Sequence, residues 1–456
     1  MDLIEQIAES MSRYSMVAPK DHIGVAVSGG ADSTFLLQAL HALLKQPITV
    51  LHVNHHLRGA VSDADAVWVR NLARSMGLNC LTIDWNYNRE DNLEQAARQA
   101  RYSWFHELIQ KGDLDRVATG HTKSDQAETV LFRLLRGTGP SGLAGVVPVT
   151  RQGIIRPLIG VERVEIEQWL SDQRISWRED ATNRDTALIR NRIRHELLPD
   201  LMEQWNPRMV DGLAQLALLA ADEEEYWHDR VEQLLPQLFL RNGNAWIAEV
   251  ASILDKPAAL RRRLVRGMIE RAKGNLLQID FSHIEGVLGL LSNPDGSGSG
   301  RIQIPGLDVF RSLDWVRFAE PGLENLENRN FSIPIPIPGF AELPGGGGIS
   351  TELIESESVY TECRDDIDWG KISDELILRN WRPGDRYIPL GSPGEQKLKI
   401  LFQDERIPLW ERRHWPILWS GETLVWAKRF GVAAGFAAGP DCGKRLRIEC
   451  HTPAAM

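Results

Sequence analysis

Apolar runs and amphipathic stretches alternate along the first 140 residues. After a short amphipathic helix over residues 1–20, four runs are apolar enough for buried strands: Ile23–Val27, Ile48–Val53, Cys80–Asp84 and Arg116–Thr119. Helices are predicted between and after them, over residues 32–45, 62–76, 92–111 and 124–136. This alternation predicts an α/β fold, a doubly wound parallel sheet with helices on both faces. Ligands of such sheets bind beyond the carboxyl ends of the strands.

The pattern changes after residue 199. Helical periodicity continues to about residue 291, residues 302–318 read as a β-hairpin, and residues 376–449 alternate in short runs typical of a small β-rich domain. Ile333–Pro338, in which every second residue is proline, fits an edge strand or a linker. We therefore predict three domains: a catalytic α/β domain over 1–198, a mostly helical domain over 199–330, and a β-rich domain over 331–456.

Size and charge agree with this division. The 456 residues exceed the usual size of one domain. The 52 basic and 62 acidic residues give a net charge of −10, which argues against a uniformly basic surface but allows a local basic face for RNA. Four scattered cysteines predict neither a disulfide framework nor a zinc site. No signal-peptide pattern or membrane-length apolar run is visible, so we expect a cytoplasmic protein without membrane contact.

The first strand runs directly into a glycine-containing loop and a helix. The loop reads Ser28-Gly29-Gly30-Ala31-Asp32-Ser33. Glycines let phosphate oxygens approach the main chain, and the N-terminus of a helix attracts anions. A carboxylate such as Asp32 suits this position mainly if a metal ion lies between it and the phosphates. The loop lacks the lysine of the common P-loop, and its alternative interpretation is an ordinary capped turn.

Polar residues also follow the fourth predicted strand. A helix that starts near Ser124 would present Asp125 and Glu128 on one face, close to His121. Acids in a first helical turn can also serve only as caps. The segment Gly137–Gly145 that follows is too rich in glycine for a helix, so we predict a flexible loop near a substrate.

Several arginines could bind anions. Arg98 and Arg101 share one helical face, and Arg194 ends a basic run; guanidinium groups suit phosphates and carboxylates. Five arginines between Arg261 and Arg271 suggest a path for RNA phosphates. The alternative for each group is a solvated surface. The C-terminal tryptophans fit a core better than a base-stacking surface.

Five motifs in this order resemble the bacterial tRNA(Ile)-lysidine synthetases, which belong to the ATP-pyrophosphatase (PP-loop) superfamily. They are the Ser28–Ser33 loop and the segments at 92–102, 120–129, 136–145 and 178–199. The segment 378–402 resembles the C-terminal tRNA-binding domain of that family. One departure is visible: Asn54-His55-His56 stands where the family usually has an aspartate and a histidine.

The resemblance implies a reaction. ATP would bind at the Ser28–Ser33 loop with Mg²⁺ held by Asp32, and the 2-keto oxygen of the wobble cytidine of tRNA(Ile) with anticodon CAU would attack the α-phosphorus and release pyrophosphate. The ε-amine of L-lysine would then displace AMP and give lysidine, so that the codon read changes from AUG to AUA. The resemblance leaves room for a homodimer.

The same resemblance implies roles for the site residues. Arg98, Arg101 and Arg194 would stabilise the charge that develops at phosphorus. Asp125 and Glu128 would hold lysine, and His121 would either orient a substrate or support its loop.

Other functions remain open at this point. A tRNA thiolase of the same superfamily would need sulfur-carrying cysteines or an iron–sulfur cluster, and no Cys-x-x-Cys pair is present. A glutamine amidotransferase would need a nucleophilic cysteine, whereas position 2 is Asp2. A non-catalytic RNA-binding protein would not need Asp32.

Overall fold

The computed structural model describes residues 2–56, 59–85, 93–178, 188–292, 299–322, 330–344, 346–355 and 365–451. Asn92, Cys363 and the segment 179–187 of the fifth motif lie outside the described residues. The chain divides into two compact units, Met1–Tyr226 and Trp227–Met456. The three predicted domain boundaries stay a prediction. Within the described ranges, no helix is both long and apolar enough to cross a membrane.

The first unit contains a parallel five-stranded sheet. Its strands are β1 (Ile23–Ala26), β2 (Ile48–Asn54), β3 (Asn79–Asp84), β4 (Arg116–Ala118) and β5 (Ile154–Ile155). Their order is β3-β2-β1-β4-β5, and every neighbouring pair is parallel. The predicted α/β class is therefore confirmed, with one short extra strand. The order reverses between β1 and β4, so their carboxyl ends open a crevice of the kind that binds ligands.

Helices surround this sheet and extend beyond it. They are α1 (Leu3–Arg13), α2 (Ala31–Leu43), α3 (Ala60–Ser75), α4 (Leu93–Gln110), α5 (Lys123–Leu135), α6 (Pro140–Leu143), α7 (Arg163–Asp172), α8 (Ile189–Arg192), a π-helical turn (Ile193–Leu197), α9 (Leu198–Gln204) and α10 (Met209–Leu238). Val25 of β1 and Phe35 and Leu37 of α2 have no exposed surface. Each such side chain contributes about 1.5–3 kcal/mol by leaving water. The loop between β1 and α2 is thus held by two rigid elements.

The predicted flexible loop over Gly137–Gly145 is wrong, because this segment contains the short helix α6. Arg133 of α5 donates hydrogen bonds to the carbonyl oxygens of Gly142 (3.0 Å) and Gly145 (2.7 Å). The side-chain amide of Gln126 donates to Val146 O at 2.8 Å and accepts from Val146 N–H at 2.7 Å. These two side chains fix the backbone of the segment in spite of its glycines.

The second unit begins with helices and an antiparallel sheet. Its elements are β6 (Leu240–Asn242), β7 (Ala245–Glu249), α11 (Val250–Leu254), α12 (Ala258–Lys273), α13 (Phe281–Ser292), β8 (Ser299–Ile304), β9 (Leu307–Ser312) and β10 (Trp315–Ala319). The sheet order is β6-β7-β10-β9-β8. The predicted helical region is confirmed, although β6 and β7 interrupt it; the hairpin predicted over 302–318 is wrong, because three strands form there.

The C-terminal part is rich in short strands. Its elements are β11 (Ser332–Pro334), β12 (Gly339–Glu342), β13 (Gly348–Glu355), β14 (Asp366–Asp368), β15 (Leu376–Asn380), β16 (Arg386–Tyr387), β17 (Gln396–Lys397), α14 (Leu398–Asp404), α15 (Leu409–Arg412), β18 (Pro416–Ser420), β19 (Thr423–Ala427), β20 (Gly431–Val432) and β21 (Lys444–His451). The proline-rich β11 lies at the edge of the sheet β11-β15-β18-β19-β20, as predicted. Trp415 and Trp426 are buried in the core, which confirms the structural interpretation for these two.

Candidate active site

The Ser28–Ser33 loop is shaped by its own hydroxyl groups. Gly29 has a φ of +97°, a conformation that favours glycine, and Gly30 caps the N-terminus of α2. The Ser33 hydroxyl accepts the N–H of Ser28 at 3.1 Å and donates to Gly30 O at 3.1 Å. The loop is therefore ordered before any ligand binds, with the free N–H groups of the helix start beside it.

The end of β4 lies against this loop. At Gly120 a Cβ atom would come within 3.2 Å of the carbonyl carbon of Asp32 and the nitrogen of Ser33, so only glycine allows the two segments to approach this closely. On the other side, the backbone N–H of Arg178 donates to Gly29 O at 2.8 Å. The carboxyl ends of β1 and β4 therefore meet at one edge of the sheet.

Asp32 is a buried carboxylate, and only one of its two oxygens has a hydrogen-bond partner among the described residues. Its Oδ2 pairs with Arg163 of α7, whereas its Oδ1 is buried and has no hydrogen-bond partner within the described residues. Burial raises the pKa of Asp32 to about 6. The charge of Arg163 opposes this rise, and the nearby charge of Asp125 adds to it. A cation at Oδ1 would satisfy that oxygen and favour the ionised form.

This carboxylate fits Mg²⁺ of the kind that accompanies a nucleotide. No group of three or more potential metal ligands occurs among the residues that the structure describes. Mg²⁺ usually binds proteins through one or two carboxylates and completes its shell with phosphate oxygens and water. Asp32, beside a phosphate loop, can supply that single protein ligand.

Asp125 and Glu128, the acid pair, lie on one face of α5 as predicted, and Arg194 bridges them. Arg194 donates to both oxygens of Glu128, at 2.5 and 2.9 Å, and to Asp125 Oδ1 at 3.0 Å. The side chain of Glu128 is only 1% exposed. Burial raises the pKa of Glu128 in spite of Arg194. Burial alone would also raise the pKa of Asp125. His121, Arg194 and the Thr122 N–H outweigh the effect of burial, so the pKa of Asp125 is lowered.

His121 lies between the acid pair and a group of arginines. Its Nδ1 is 3.0 Å from the Thr119 hydroxyl. Burial lowers the pKa of His121, and Arg156 and Arg98 add to this effect while Asp125 opposes it. The imidazole is therefore neutral at pH 7 and is a weak base. Arg98 is exposed and belongs to this side of the site.

Arg101 lies instead near the end of β2. Burial first, and then Arg101 and His52, lower the pKa of His55 to about 4. The side chain of Asn54 donates to Asp63 at 2.8 Å and accepts the N–H of His56 at 3.1 Å. Asn54 thus shapes the turn as a neutral residue, since its amide group both donates and accepts a hydrogen bond.

Sequence reasoning missed Arg163. It is the first residue of α7, where a positive charge opposes the helix dipole. A cation in such an unfavourable position indicates a specific partner elsewhere, and that signal could have singled it out. Its backbone N–H also donates to the Ser124 hydroxyl at 3.3 Å, which ties α7 to the start of α5.

Replacing Asp32 by Asn should stabilise the nucleotide-free protein at alkaline pH. Since the pKa rises from 3.8 to about 6 on folding, Asp32 favours folding most below pH 3.8, and this contribution is lost as the pH rises through 6. Near pH 8 the uncharged variant should gain about 1–3 kcal/mol in free energy of unfolding, and the gain should vanish toward pH 4. Urea unfolding measures it, with exposed Asp172→Asn as the control. A gain that does not change with pH would contradict the burial cost.

Comparisons with known proteins agree with the motifs. A family model for a PP-loop domain matches residues 3–201, and one for a TilS substrate C-terminal domain matches residues 376–450. The tRNA(Ile)-lysidine synthase of Solibacter usitatus is 47% identical over 441 residues, covering 95% of this chain and 99% of that protein. The tRNA(Ile)-lysidine synthase of Geobacter sulfurreducens is 37% identical over 475 residues, covering 98% of this chain and 97% of that protein. Among solved structures, the U34-tRNA thiolase NcsA of Methanococcus maripaludis aligns with a TM-score of 0.41 at 14% identity, covering 48% of this chain and 78% of that chain.

Proposed function

Since the chain belongs to the tRNA(Ile)-lysidine synthase family of PP-loop enzymes, we propose that it joins the ε-amine of L-lysine to ring carbon 2 of the wobble cytidine in tRNA(Ile) with anticodon CAU. ATP is cleaved to AMP and pyrophosphate through an adenylated cytidine. The product reads AUA instead of AUG. The observation that carries this proposal is the buried Asp32, one oxygen of which has no partner among the described residues, beside the acid pair at the β1 and β4 ends.

In the first step the triphosphate of ATP lies on the Ser28–Ser33 loop. The N–H groups at the start of α2 donate to phosphate oxygens, and Asp32 would hold Mg²⁺ through Oδ1. When bound, Mg²⁺ withdraws charge from the phosphates and makes pyrophosphate a better leaving group. Arg98 and Arg101 approach from the β4 and β2 sides and stabilise the negative charge that develops at phosphorus.

In the second step lysine binds at the acid pair. Asp125, Glu128 and Arg194 together carry two negative charges and one positive charge. Free lysine carries two ammonium groups and one carboxylate, so the two sets of charges are complementary. Arg194 would then turn away from the acid pair. It would contact either the lysine carboxylate or a phosphate, the second being the role that the resemblance implies.

The attacking amine must lose a proton. Burial raises the pKa of Glu128, so this carboxylate is a stronger base than an exposed one and is suited to accept that proton. His121 is a poor base because its pKa is lowered by burial. We therefore assign it to positioning, through Thr119, rather than to proton transfer.

RNA contacts are proposed for the second unit. Two of the five arginines of the α12 path are paired with acids: Arg262 with Glu285 at 2.7 Å and Arg271 with Glu232 at 3.2 Å. Arg266 is exposed and has no acid partner among the described residues. In the C-terminal part, Arg412 is buried and donates to Ile407 O at 2.7 Å, so it does not offer its charge to RNA. The path, the three domains and a homodimer stay predictions.

Steady release of pyrophosphate tests the proposed function. With ATP, Mg²⁺, lysine and tRNA(Ile) carrying the CAU anticodon, we expect continuous release. Omitting lysine should leave at most about one pyrophosphate per enzyme, because the adenylated cytidine is not consumed, and omitting tRNA should leave none. Continuous release without tRNA would contradict the proposal. A thiolase would turn over with a sulfur donor instead of lysine.

A further inference from the structure

The buried guanidinium of Arg156 lies near His121 and beside the hydroxyl of Tyr102. Arg156 follows β5, is 4% exposed, and donates through one terminal nitrogen to Val147 O at 2.6 Å. Tyr102 on α4 interacts with Arg156, but neither the Tyr102 hydroxyl nor Arg156 Nε, both buried, makes a well-aligned hydrogen bond within the described ranges. A buried polar group without a good hydrogen bond destabilises the ligand-free protein. Two such groups at one place suggest a ligand that satisfies both.

Positive charge accumulates around these two groups. The guanidinium of Arg98 lies over the ring of Tyr102, 5.0 Å from its centroid. Burial lowers the pKa of Arg156; Tyr102 opposes this effect and Arg98 adds to it. Burial, Arg98 and Arg190 likewise lower the pKa of Arg133. Arg98 is therefore close enough to repel both Arg156 and Arg133, and Arg190 is close enough to repel Arg133.

Carboxylates do not balance this charge. The Arg133 side chain donates hydrogen bonds to the carbonyl oxygens of Gly142 and Gly145. Of the residues that the structure describes, no acid lies within 4.0 Å of Arg98, Arg133 or Arg156. Arg190 approaches Glu128 at 3.6 Å, but Arg194 already occupies that carboxylate. Within the part of the chain that the structure describes, the cluster therefore keeps an excess of positive charge.

We propose that Arg98, Tyr102 and Arg156 form a second phosphate-binding site, separate from the Ser28–Ser33 loop. The inference rests on the proposed function, which brings two sources of phosphate to this crevice, the RNA backbone and the nucleotide. A phosphate oxygen can accept from Arg156 Nε and from the Tyr102 hydroxyl at once, while the exposed Arg98 closes over it. A bound phosphate would also relieve the mutual repulsion of the arginines.

Two variants test the site without removing the buried Arg156. Tyr102→Phe keeps the ring under Arg98 and removes only the hydroxyl. Arg98→Gln removes an exposed charge, and Arg74→Gln on α3 is the matched control because this arginine is also exposed. Two probes distinguish the sources: an anticodon stem-loop RNA, titrated by fluorescence anisotropy at several salt concentrations, and a non-hydrolysable ATP analogue with Mg²⁺, titrated by calorimetry.

We expect both variants, but not Arg74→Gln, to bind one of the two probes with an affinity lower by about five-fold or more. Weaker binding of the stem-loop RNA assigns the site to an RNA phosphate. For Arg98→Gln, the slope of log binding constant against log salt concentration should then be smaller in magnitude by about 0.9. Loss in the analogue arm assigns it to the nucleotide. The melting temperature of Tyr102→Phe shows whether a loss of binding comes with a loss of fold. Unchanged binding in both arms, or equal loss in Arg74→Gln, would overturn the site. Neither result bears on whether the wild-type protein forms lysidine.

Discussion

Asp32→Asn should lower the rate of lysine incorporation into tRNA by about 10³-fold or more while the protein stays folded. The amide keeps the shape of the side chain but cannot hold a divalent cation, so the charge on the departing pyrophosphate loses its metal partner. A factor of 10³ corresponds to about 4 kcal/mol of transition-state stabilisation, which is the usual scale for one preorganised electrostatic partner. The measurement is single-turnover incorporation of labelled lysine at saturating ATP.

The control for this experiment is Asp172→Asn, which changes an exposed carboxylate far along α7 and should retain the wild-type rate. Circular dichroism should show that both variants are folded. Incorporation by Asp32→Asn within ten-fold of wild type would remove the metal-binding role of Asp32. The gain in stability predicted for the same variant at alkaline pH separates a loss of chemistry from a loss of fold.

Arg194→Met should destabilise the first unit by about 3–5 kcal/mol at neutral pH. Removal of one partner from a buried ion pair leaves the other charge without compensation. Here the loss is shared by Glu128, whose side chain is 1% exposed, and Asp125, at 16%. Arg190 at 3.6 Å from Glu128 can replace only part of the lost interaction. Urea unfolding, monitored by tryptophan fluorescence, gives the change.

A compensating substitution provides the control. In the double variant Arg194→Met with Glu128→Gln, the buried charge is gone, so much of the lost stability should return. The destabilisation of the single variant should also diminish at acid pH, where Glu128 can take up a proton. An Arg194→Met protein as stable as wild type would show that the acid pair does not depend on this guanidinium.

The parts of the site that are local in sequence could be predicted. An apolar strand, two glycines and a helix start specify the Ser28–Ser33 loop within about a dozen residues, because strand burial, φ at Gly29 and helix capping are all short-range effects. The face shared by Asp125 and Glu128 follows from helical periodicity in the same way.

Contacts between distant segments could not be predicted. Arg163 pairs with Asp32 across 131 residues, and Arg194 reaches Glu128 across 66. Nothing in the local pattern at either end requires the other. The order of the strands decides that these residues meet, since α5 and α7 begin on the same side of the sheet as the Ser28–Ser33 loop.

The wrong predictions have physical causes of the same kind. Glycine content alone indicated a flexible loop at 137–145, but Arg133 and Gln126 bind its backbone and a short helix forms. Alternating residues near 302–318 indicated two strands, whereas a third strand, β8, pairs with β9 along its whole length. In both segments tertiary contacts override local propensity.

The most direct measurement of the central claim is transfer of radiolabelled lysine to a mixture of tRNAs in the presence of ATP and Mg²⁺. The account predicts that label enters one species only, the isoleucine tRNA with anticodon CAU, and that nucleoside analysis finds it as lysidine at the wobble position. One pyrophosphate and one AMP should appear for each lysine joined. Label spread over many tRNAs, or lysine transfer without AMP formation, would contradict it.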